Sequence, residues 1–449
     1  MYKFSCDEKS INTCIRFPPY VSVGGLRPYS WFQYFHEFGV YPIVITRQWS
    51  NEHRNFIDYI APSESEEVEV GEYTHGTIIR TPYSQNISNK MLEKYGKNKY
   101  AFIRKIFTAY YEIMQYHIKI GPKIEIYKAA QEYLKNNNVD CILTSGEPFI
   151  LFRYAHLLSK EFKTPWIADY RDPWTQDKKR SYDTISRLLN MFWEKRFVES
   201  ASIITTVTPF FKEKIQTLFP NKRFEIIPNG YNPTSTSKVS NIPQNSDVLR
   251  ISFVGTIYKW HPIESVLRVF QTFIHSQSTP PRIELRFYGI NNAEEYKNLI
   301  LLRFNSLAKY VSIIPKIQNE QLMEYLAKDN VFLLFNYYSY TGTKIYDYLA
   351  LKRLILLCYT DDSEGNELKE KYYNIDEENS DFQQVQAEII TQTNSGIIVK
   401  DSTQLLHTFS ELYSEFIQNG FISCNSVNTE QFSRKIQASN MCSLIKEIS

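Results

Sequence analysis

Short apolar runs alternate with amphipathic stretches along the whole chain. In the first half the strand-like runs are 14–17, 42–46, 77–80, 141–144, 166–169, 203–207 and 224–227. Helical patterns lie between most of them, as at 28–38, 123–135 and 149–162. Continuous apolar runs separated by helices imply buried strands in parallel sheets built from β-α-β units. The texture breaks at 233–247, PTSTSKVSNIPQNSD, which has little to bury and reads as a linker. It restarts at 249–254, 283–288, 311–314, 331–335, 354–357 and 396–399. The pattern predicts two doubly wound α/β domains facing across a cleft, 1–235 and 249–425, joined by a linker at 236–248. An amphipathic helix within 426–449 follows.

Open α/β sheets take ligands outside the carboxyl ends of their strands, so residues just after strands carry the chemistry. The segment 335–357 reads FNYYSYTGTKIYDYLALKRLILL. Its polar turn, with Gly342 and Thr343, leads into a helix carrying Lys344 and Asp347. A helix start offers free N–H groups and partial positive charge to a phosphate. Lys344 adds a full charge there, and Asp347, one turn on, shares its face and suits a sugar hydroxyl pair. Diphosphate plus ribose in one turn is the requirement of a nucleotide-sugar donor. The plain alternative is a helix start with a solvated Lys and Asp.

Other strand ends carry similar candidates. Gly24 and Gly25 open the first helix and let a backbone approach a ligand, although no G-x-G-x-x-G is present. Asp169-Tyr170-Arg171-Asp172 places three charges at a strand terminus. Either Arg171 pairs with Asp169 or Asp172, or Arg171 and Asp172 face a sugar. Gly255, Thr256 and Lys259 follow the first strand of the second domain and are candidates for the donor diphosphate.

Composition excludes several classes. A net charge of +2 gives no general attraction to nucleic acid. The six cysteines form no C-x-x-C pair, which disfavours structural zinc and fits a reducing cytoplasm. No apolar run approaches the ~18 residues of a membrane-spanning helix, and the polar start MYKFSCDEKS is no signal peptide. The chain lacks H-E-x-x-H, G-x-S-x-G and the P-loop pattern, and its late acidic pair, Asp361-Asp362, lacks D-x-D spacing. No metal and no cofactor is expected.

Taken in order, FPP…GGLRPY at 17–29, TSGEPF at 144–149, ADYRDPWT at 168–175, IIPNGY at 226–231, ISFVGT at 251–256 and TKIYDYLALKRLIL at 343–356 resemble known motifs. They are those of bacterial retaining glycosyltransferases of the two-Rossmann-domain (GT-B) kind, close to family 4. The resemblance runs from about residue 17 to the final helix. It implies a nucleotide-sugar donor in the C-terminal domain, an acceptor in the N-terminal domain and metal-independent transfer with retention. It implies that Lys344 and the backbone at Gly342 take the diphosphate, that Asp347 binds ribose and that the last helix crosses back to the first domain. The family often has a Glu in an E-x7-E spacing where this chain has Ser339, and an Arg and a Lys where it has Thr256 and Lys259.

The residues nominated for catalysis are Asp172, Arg171 and Lys344. Those nominated for the donor are Gly25, Gly255, Thr256, Lys259, Gly342, Thr343, Lys344 and Asp347. The alternatives are a non-catalytic scaffold that kept the fold, or a nucleotide-sugar epimerase. The stretch 97–128 holds seven Lys/Arg against two Glu among aromatic and aliphatic residues. It is either core with solvated lysines or a surface for anionic lipid. The second option implies a peripheral cytoplasmic enzyme that extends a glycan or lipid-linked acceptor for a surface polysaccharide.

Overall fold

The apolar runs become strands because their side chains are buried on both faces. The computed structural model describes residues 8–20, 22–49, 56–177, 184–373, 375, 377 and 380–449. Its first strands are β1 Glu8–Thr13, β2 Val40–Arg47, β3 Glu69–Tyr73, β4 Gly76–Thr81, β5 Cys141–Gly146, β6 Trp166–Tyr170, β7 Ile203–Thr206 and β8 Phe224–Ile226. The rest are β9 Leu249–Val254, β10 Ile283–Tyr288, β11 Val311–Ile314, β12 Val331–Phe335, β13 Leu354–Cys358 and β14 Gly396–Val399. They form two sheets, ordered β3-β4-β2-β1-β5-β6-β7-β8 and β11-β10-β9-β12-β13-β14. The second order is the 3-2-1-4-5-6 winding of a dinucleotide-binding fold, with its reversal between β9 and β12. In the first sheet the reversal falls between β1 and β5. The architecture is α/β with two Rossmann-like parallel-sheet units.

Two sequence expectations are corrected in the first sheet. The opening strand is Glu8–Thr13, not 14–17. Its buried Ser10, Asn12 and Thr13 are polar yet satisfied: Ser10 Oγ bonds Asn12 Oδ1 at 2.9 Å and Thr13 Oγ1 meets Thr144 Oγ1 at 2.8 Å. Cys14, Ile15 and Phe17 of the run 14–17 are apolar because they are buried where the chain leaves the sheet, while Arg16 is partly exposed. The antiparallel strand Glu69–Tyr73 escaped notice because both its faces are largely exposed. Its glutamates suit an unprotected edge.

The chain divides into two compact units, residues 1–228 with 435–449, and residues 229–434. The stretch 236–248, expected as a linker, belongs to the second unit. Pro233–Ser237 is a short helix, and Val239 packs with Tyr231, Leu322 and Tyr346. The polar residues of the stretch bond that unit's backbone: Asn245 N–H donates to Lys328 O at 2.8 Å, and Gln244 Oε1 accepts from Ile422 N at 2.9 Å. Low hydropathy here reflects both these hydrogen bonds and exposed side chains such as Lys238, Asn241 and Asp247. The final helix, Arg434–Ile448, buries Ala438, Met441, Cys442 and Ile445 against Trp31, Phe35, Val40 and Leu143 of the first unit.

One buried ion pair joins most of the first unit. Arg27, on the helix Val23–Tyr34, donates to Asp169 at the end of β6, with Nη2 to Oδ1 at 2.8 Å. Its Nη1 reaches the carbonyl of Ile227 at 2.7 Å. Asp169 accepts further bonds from Ser145 Oγ at 2.9 Å and Thr205 Oγ1 at 2.8 Å. Removing one partner strands the other charge without water, at a cost of about 3–5 kcal/mol. Arg27→Ala is therefore expected to lower the denaturant midpoint of the first unit's transition strongly. A midpoint within error of wild type would refute this role.

Candidate functional site

In the second unit the carboxyl ends of β9 and β12 lie at the winding reversal, where a ligand crevice forms in this fold. β9 ends in Gly255, with a φ of +105° and open space where a side chain would stand. Thr256 and Lys259 beyond it are exposed. β12 runs into the turn 336–343, and Gly342 has a φ of +66°, which favours glycine. Helix Lys344–Leu351 starts at once, and Thr343 provides no side-chain cap. Its first N–H groups therefore lack the usual side-chain acceptor.

Lys344 and Asp347 do share a face. Lys344 Nζ lies 3.2 Å from Asp347 Oδ2, with both side chains partly exposed. A weak, solvated ion pair of this kind is easily exchanged for ligand contacts. The turn itself is rigidly held. Tyr337 N donates to Gln386 Oε1 at 2.7 Å, and Gln386 Nε2 donates to Thr341 O at 3.0 Å. Asn336 Nδ2 donates to Tyr359 O at 3.0 Å and Gln384 Oε1 at 2.9 Å. These anchors come from the start of the helix Val385–Thr393 and were not visible in the sequence, because they lie some fifty residues away, as the Tyr337–Gln386 separation of 49 shows.

The two loops meet through aromatic rings. Tyr258 packs edge-on against Tyr337 with centroids 5.4 Å apart, and Tyr348 Oη accepts the Val254 N–H at 3.0 Å. Trp260 and His261 join this cluster. His261 is buried, its Nδ1 accepts from Tyr258 N at 3.3 Å, and burial pushes its pKa down to about 3, so it is a neutral packing element. Lys259 Nζ lies over the Tyr372 ring at 5.7 Å. Ser339 is fully buried: its N–H donates to Glu377 Oε1 at 2.9 Å and its hydroxyl meets Tyr373 Oη at 3.1 Å. Glu377 in turn pairs with Lys369 at 2.7 Å. The carboxylate that the sequence lacks at position 339 is thus present beside it, from a segment no local motif would include.

The remaining nominated residues, Gly25, Arg171 and Asp172, sit in the first unit. Gly25 is packed under the carbonyl of Arg16, 3.1 Å from where a Cβ would stand. Arg171 does not pair with Asp169, which Arg27 occupies; its Nε donates to Gly146 O at 2.8 Å. Burial lowers the pKa of Arg171, while neighbouring Asp172 acts to raise it. The loop that follows is fixed by Glu194, whose carboxylate accepts from Tyr170 Oη at 2.9 Å and Thr175 N at 3.2 Å. Burial pushes the Glu194 carboxyl up to about 7 against these bonds. Glu194 lies within a helical pattern whose polar residues give no sign that one is wholly buried.

Residues 33–235 match the family described as Glycosyltransferase Family 4. A comparison with curated protein sequences gave no match. Among solved structures, the chain resembles sucrose-phosphate synthase (tll1590) from Thermosynechococcus elongatus, at 15% identity and a TM-score of 0.57, over 98% of this chain and 99% of that one. It also resembles the UDP-forming α,α-trehalose-phosphate synthase from Burkholderia xenovorans in complex with glucose-6-phosphate, at 11% identity and a TM-score of 0.56, over 98% and 100%. A third, described as trehalose-6-phosphate from E. coli bound with UDP-2-fluoro glucose, gives 12% identity and a TM-score of 0.52, over 98% and 100%. At these identities the likeness establishes the fold.

If Lys344 and Asp347 contact a donor, each truncation removes a charge-assisted bond of about 1.5–3 kcal/mol, roughly 10- to 150-fold in an equilibrium. Lys344→Ala and Asp347→Ala are expected to weaken nucleotide binding by that order, measured calorimetrically on folded protein. Lys344→Ala should also reduce turnover more. Unaltered binding in both would place the donor elsewhere.

Proposed function

We propose that the chain, whose residues 33–235 match the family described as Glycosyltransferase Family 4, transfers a sugar, with retention, from a nucleotide-sugar donor to a glycan or lipid-linked acceptor. The observation that carries the donor side is the Lys344–Asp347 pair at an uncapped helix start, directly after Gly342 and beside the β9 loop. The shared fold with a structure described as holding UDP-2-fluoro glucose supports a nucleotide sugar as the ligand of this crevice.

The chemistry follows from charge. As the bond from the anomeric carbon to the diphosphate breaks, negative charge grows on the leaving oxygen and positive charge on the sugar. Lys344, Lys259, Thr256 and the N–H groups around Gly342 and Thr343 would stabilise the leaving group without a metal. The acceptor hydroxyl forms the new bond from the leaving-group face and passes its proton to a diphosphate oxygen. Arg171 and Asp172, with the Gly24-Gly25 turn, would serve the acceptor and transferring sugar. No protein nucleophile is invoked. Full-length protein incubated with UDP-, GDP- and ADP-sugars should release nucleotide from at least one, and release should survive EDTA. Release lost on chelation and restored by magnesium would refute the metal-free reading. No release from any donor would favour a scaffold, the reading that the buried Ser339 motivates.

The lipid-linked form of the acceptor is supported by the surface of the first unit. Helix Ala101–Met114 has no buried residue and exposes Phe102, Ile103, Ile106, Tyr110 and Ile113. A second helix, Thr184–Val198, exposes Ile185, Leu188, Leu189 and Phe192. The residues just after the first helix meet the second: Tyr116 and His117 pack on Trp193. Lys105, Lys195 and Arg196 are exposed on these helices. Arg104 and Lys119 are not free lipid contacts, since Arg104 bonds the carbonyls of Gly96 and Lys97 and Lys119 bonds Tyr127. Among the described residues no helix is long and apolar enough to cross a membrane. Apolar rows flanked by cations suit peripheral contact with the inner, anionic leaflet of a plasma membrane, as surface polysaccharide synthesis from a cytoplasmic donor would require. Co-sedimentation with anionic vesicles is expected, and it should fall in Phe102→Ser/Phe192→Ser and in Lys105→Glu. No binding at low salt would favour a soluble acceptor.

A further inference from the structure

We propose that the first unit holds an anionic group, the phosphate ester or diphosphate of a sugar acceptor, between the guanidinium groups of Arg16 and Arg171. This rests on the glycosyl-transfer reading above and names the chemistry of its acceptor. The place is the winding reversal of the first sheet. Arg16 follows β1, Glu147 follows β5 and Arg171 follows β6, so all three stand at carboxyl ends beside the β1/β5 reversal.

The two arginines converge on one point. A Cβ added to Gly24 would collide with Arg171 Nη1 and lie 3.0 Å from Arg16 Nη1. The glycine thus leaves room for two cations brought together, which repel unless an anion joins them. Neither is consumed by the protein. Arg171 spends only Nε, on Gly146 O at 2.8 Å. Among the described residues its terminal nitrogens donate no hydrogen bond, and Arg16 donates none. The nearest carboxylate to Arg16 is Glu147, with Oε2 4.0 Å from Nη2.

Other charges nearby are accounted for. Asp169 is saturated by Arg27, Ser145 and Thr205. Arg47 directs its nitrogens to the carbonyls of Gln48, Tyr59 and Ala61. Lys123 is influenced chiefly by Glu112 among charged groups, and Asp172 acts on Arg171 from one side. What remains is a pair of planar forks matched to phosphate oxygens, which arginine binds through two parallel bonds. The helix Val23–Tyr34 begins at the same place and adds its positive end.

An aromatic shelf adjoins the cations. Tyr20 stacks on Trp49 with centroids 4.2 Å apart, and Tyr59 meets Tyr20 edge-on at 6.0 Å. The Tyr59 phenol lies in the field of Arg16 and Glu147, which places the shelf beside the forks. Flat ring faces next to a phosphate fork suit a phosphorylated sugar better than a neutral one.

The test uses the full chain and two probes, a hexose 6-phosphate in solution and a prenyl-diphosphate sugar in vesicles, each against its unphosphorylated counterpart. At least one phosphorylated probe should bind about tenfold or more tightly than its neutral partner. Arg16→Gln and Arg171→Lys should each remove most of that preference, and Gly24→Ala should do so by displacing both forks. Arg16 is partly exposed, so its variant keeps the test valid if changes at Arg171 or Gly24 impair folding. Lys344→Ala should retain the preference. Equal binding of phosphorylated and neutral forms of both probes overturns the proposal. So does a preference lost in Lys344→Ala but kept in Arg16→Gln, which would assign the anion to the second unit. Whether soluble or vesicle-borne probe binds tells the two phosphate sources apart. Failure of the glycosyl-transfer reading has a separate signature: wild-type protein that releases no nucleotide from any donor, whatever its phosphosugar binding.

Discussion

The Arg27–Asp169 pair ties the first unit together. Arg27 comes from the first helix, Asp169 from β6, and the remaining bonds reach β5 through Ser145, β7 through Thr205 and the end of β8 through Ile227. A buried charge is tolerated only when paired and fully hydrogen-bonded, and here every partner lies on a different element. Displacement of any of these elements would leave a charge or a hydroxyl unsatisfied. Arg171, two residues beyond Asp169, inherits this constraint, as does Gly24, one turn before Arg27. The charged loop at the carboxyl edge of the sheet is therefore set from beneath by this buried pair.

The second unit uses neutral hydrogen bonds for the same purpose. Val385 and Gln386 hold the turn 336–342 through its backbone, and Gln384 through the side-chain amide of Asn336. Side-chain amides offer a donor and an acceptor together, so Gln386 binds both ends of the turn. The result is a helix start without a side-chain cap, whose Lys344 and Asp347 pair with one another. Support on rigid elements and reactive groups at a helix terminus are a combination suited to polyanion binding.

The two surfaces of the first unit differ in physical character. Beside the β1/β5 reversal, charge is concentrated and partly withdrawn from water. On the helices Ala101–Met114 and Thr184–Val198, apolar side chains stand exposed with cations around them. Among the described residues these side chains are left uncovered, a surface that suits a fluid, chemically uniform partner. An acceptor with a phosphate near a sugar and a lipid beyond it would engage both.

Strand positions were legible because a strand buried on both faces must be apolar along its length. The runs 249–254, 283–288, 311–314, 331–335 and 396–399 coincide with strands β9, β10, β11, β12 and β14. The Gly342-to-Asp347 turn was legible too, since helix starts and their charges are local. What the sequence could not determine was which distant groups complete each site. Asp169 and Arg171 both looked available to one another, and only packing gives Asp169 to Arg27. Gly24 read as a tight turn or a close approach to a ligand, and only the fold shows Arg16 and Arg171 packed against it. Ser339 read as a missing carboxylate, but Glu377 stands against its backbone. Local propensity and hydropathy are properties of neighbours in the chain. Ion pairing, burial of a polar group and the convergence of like charges depend on distances across the sheet, and those exist only once the chain has folded.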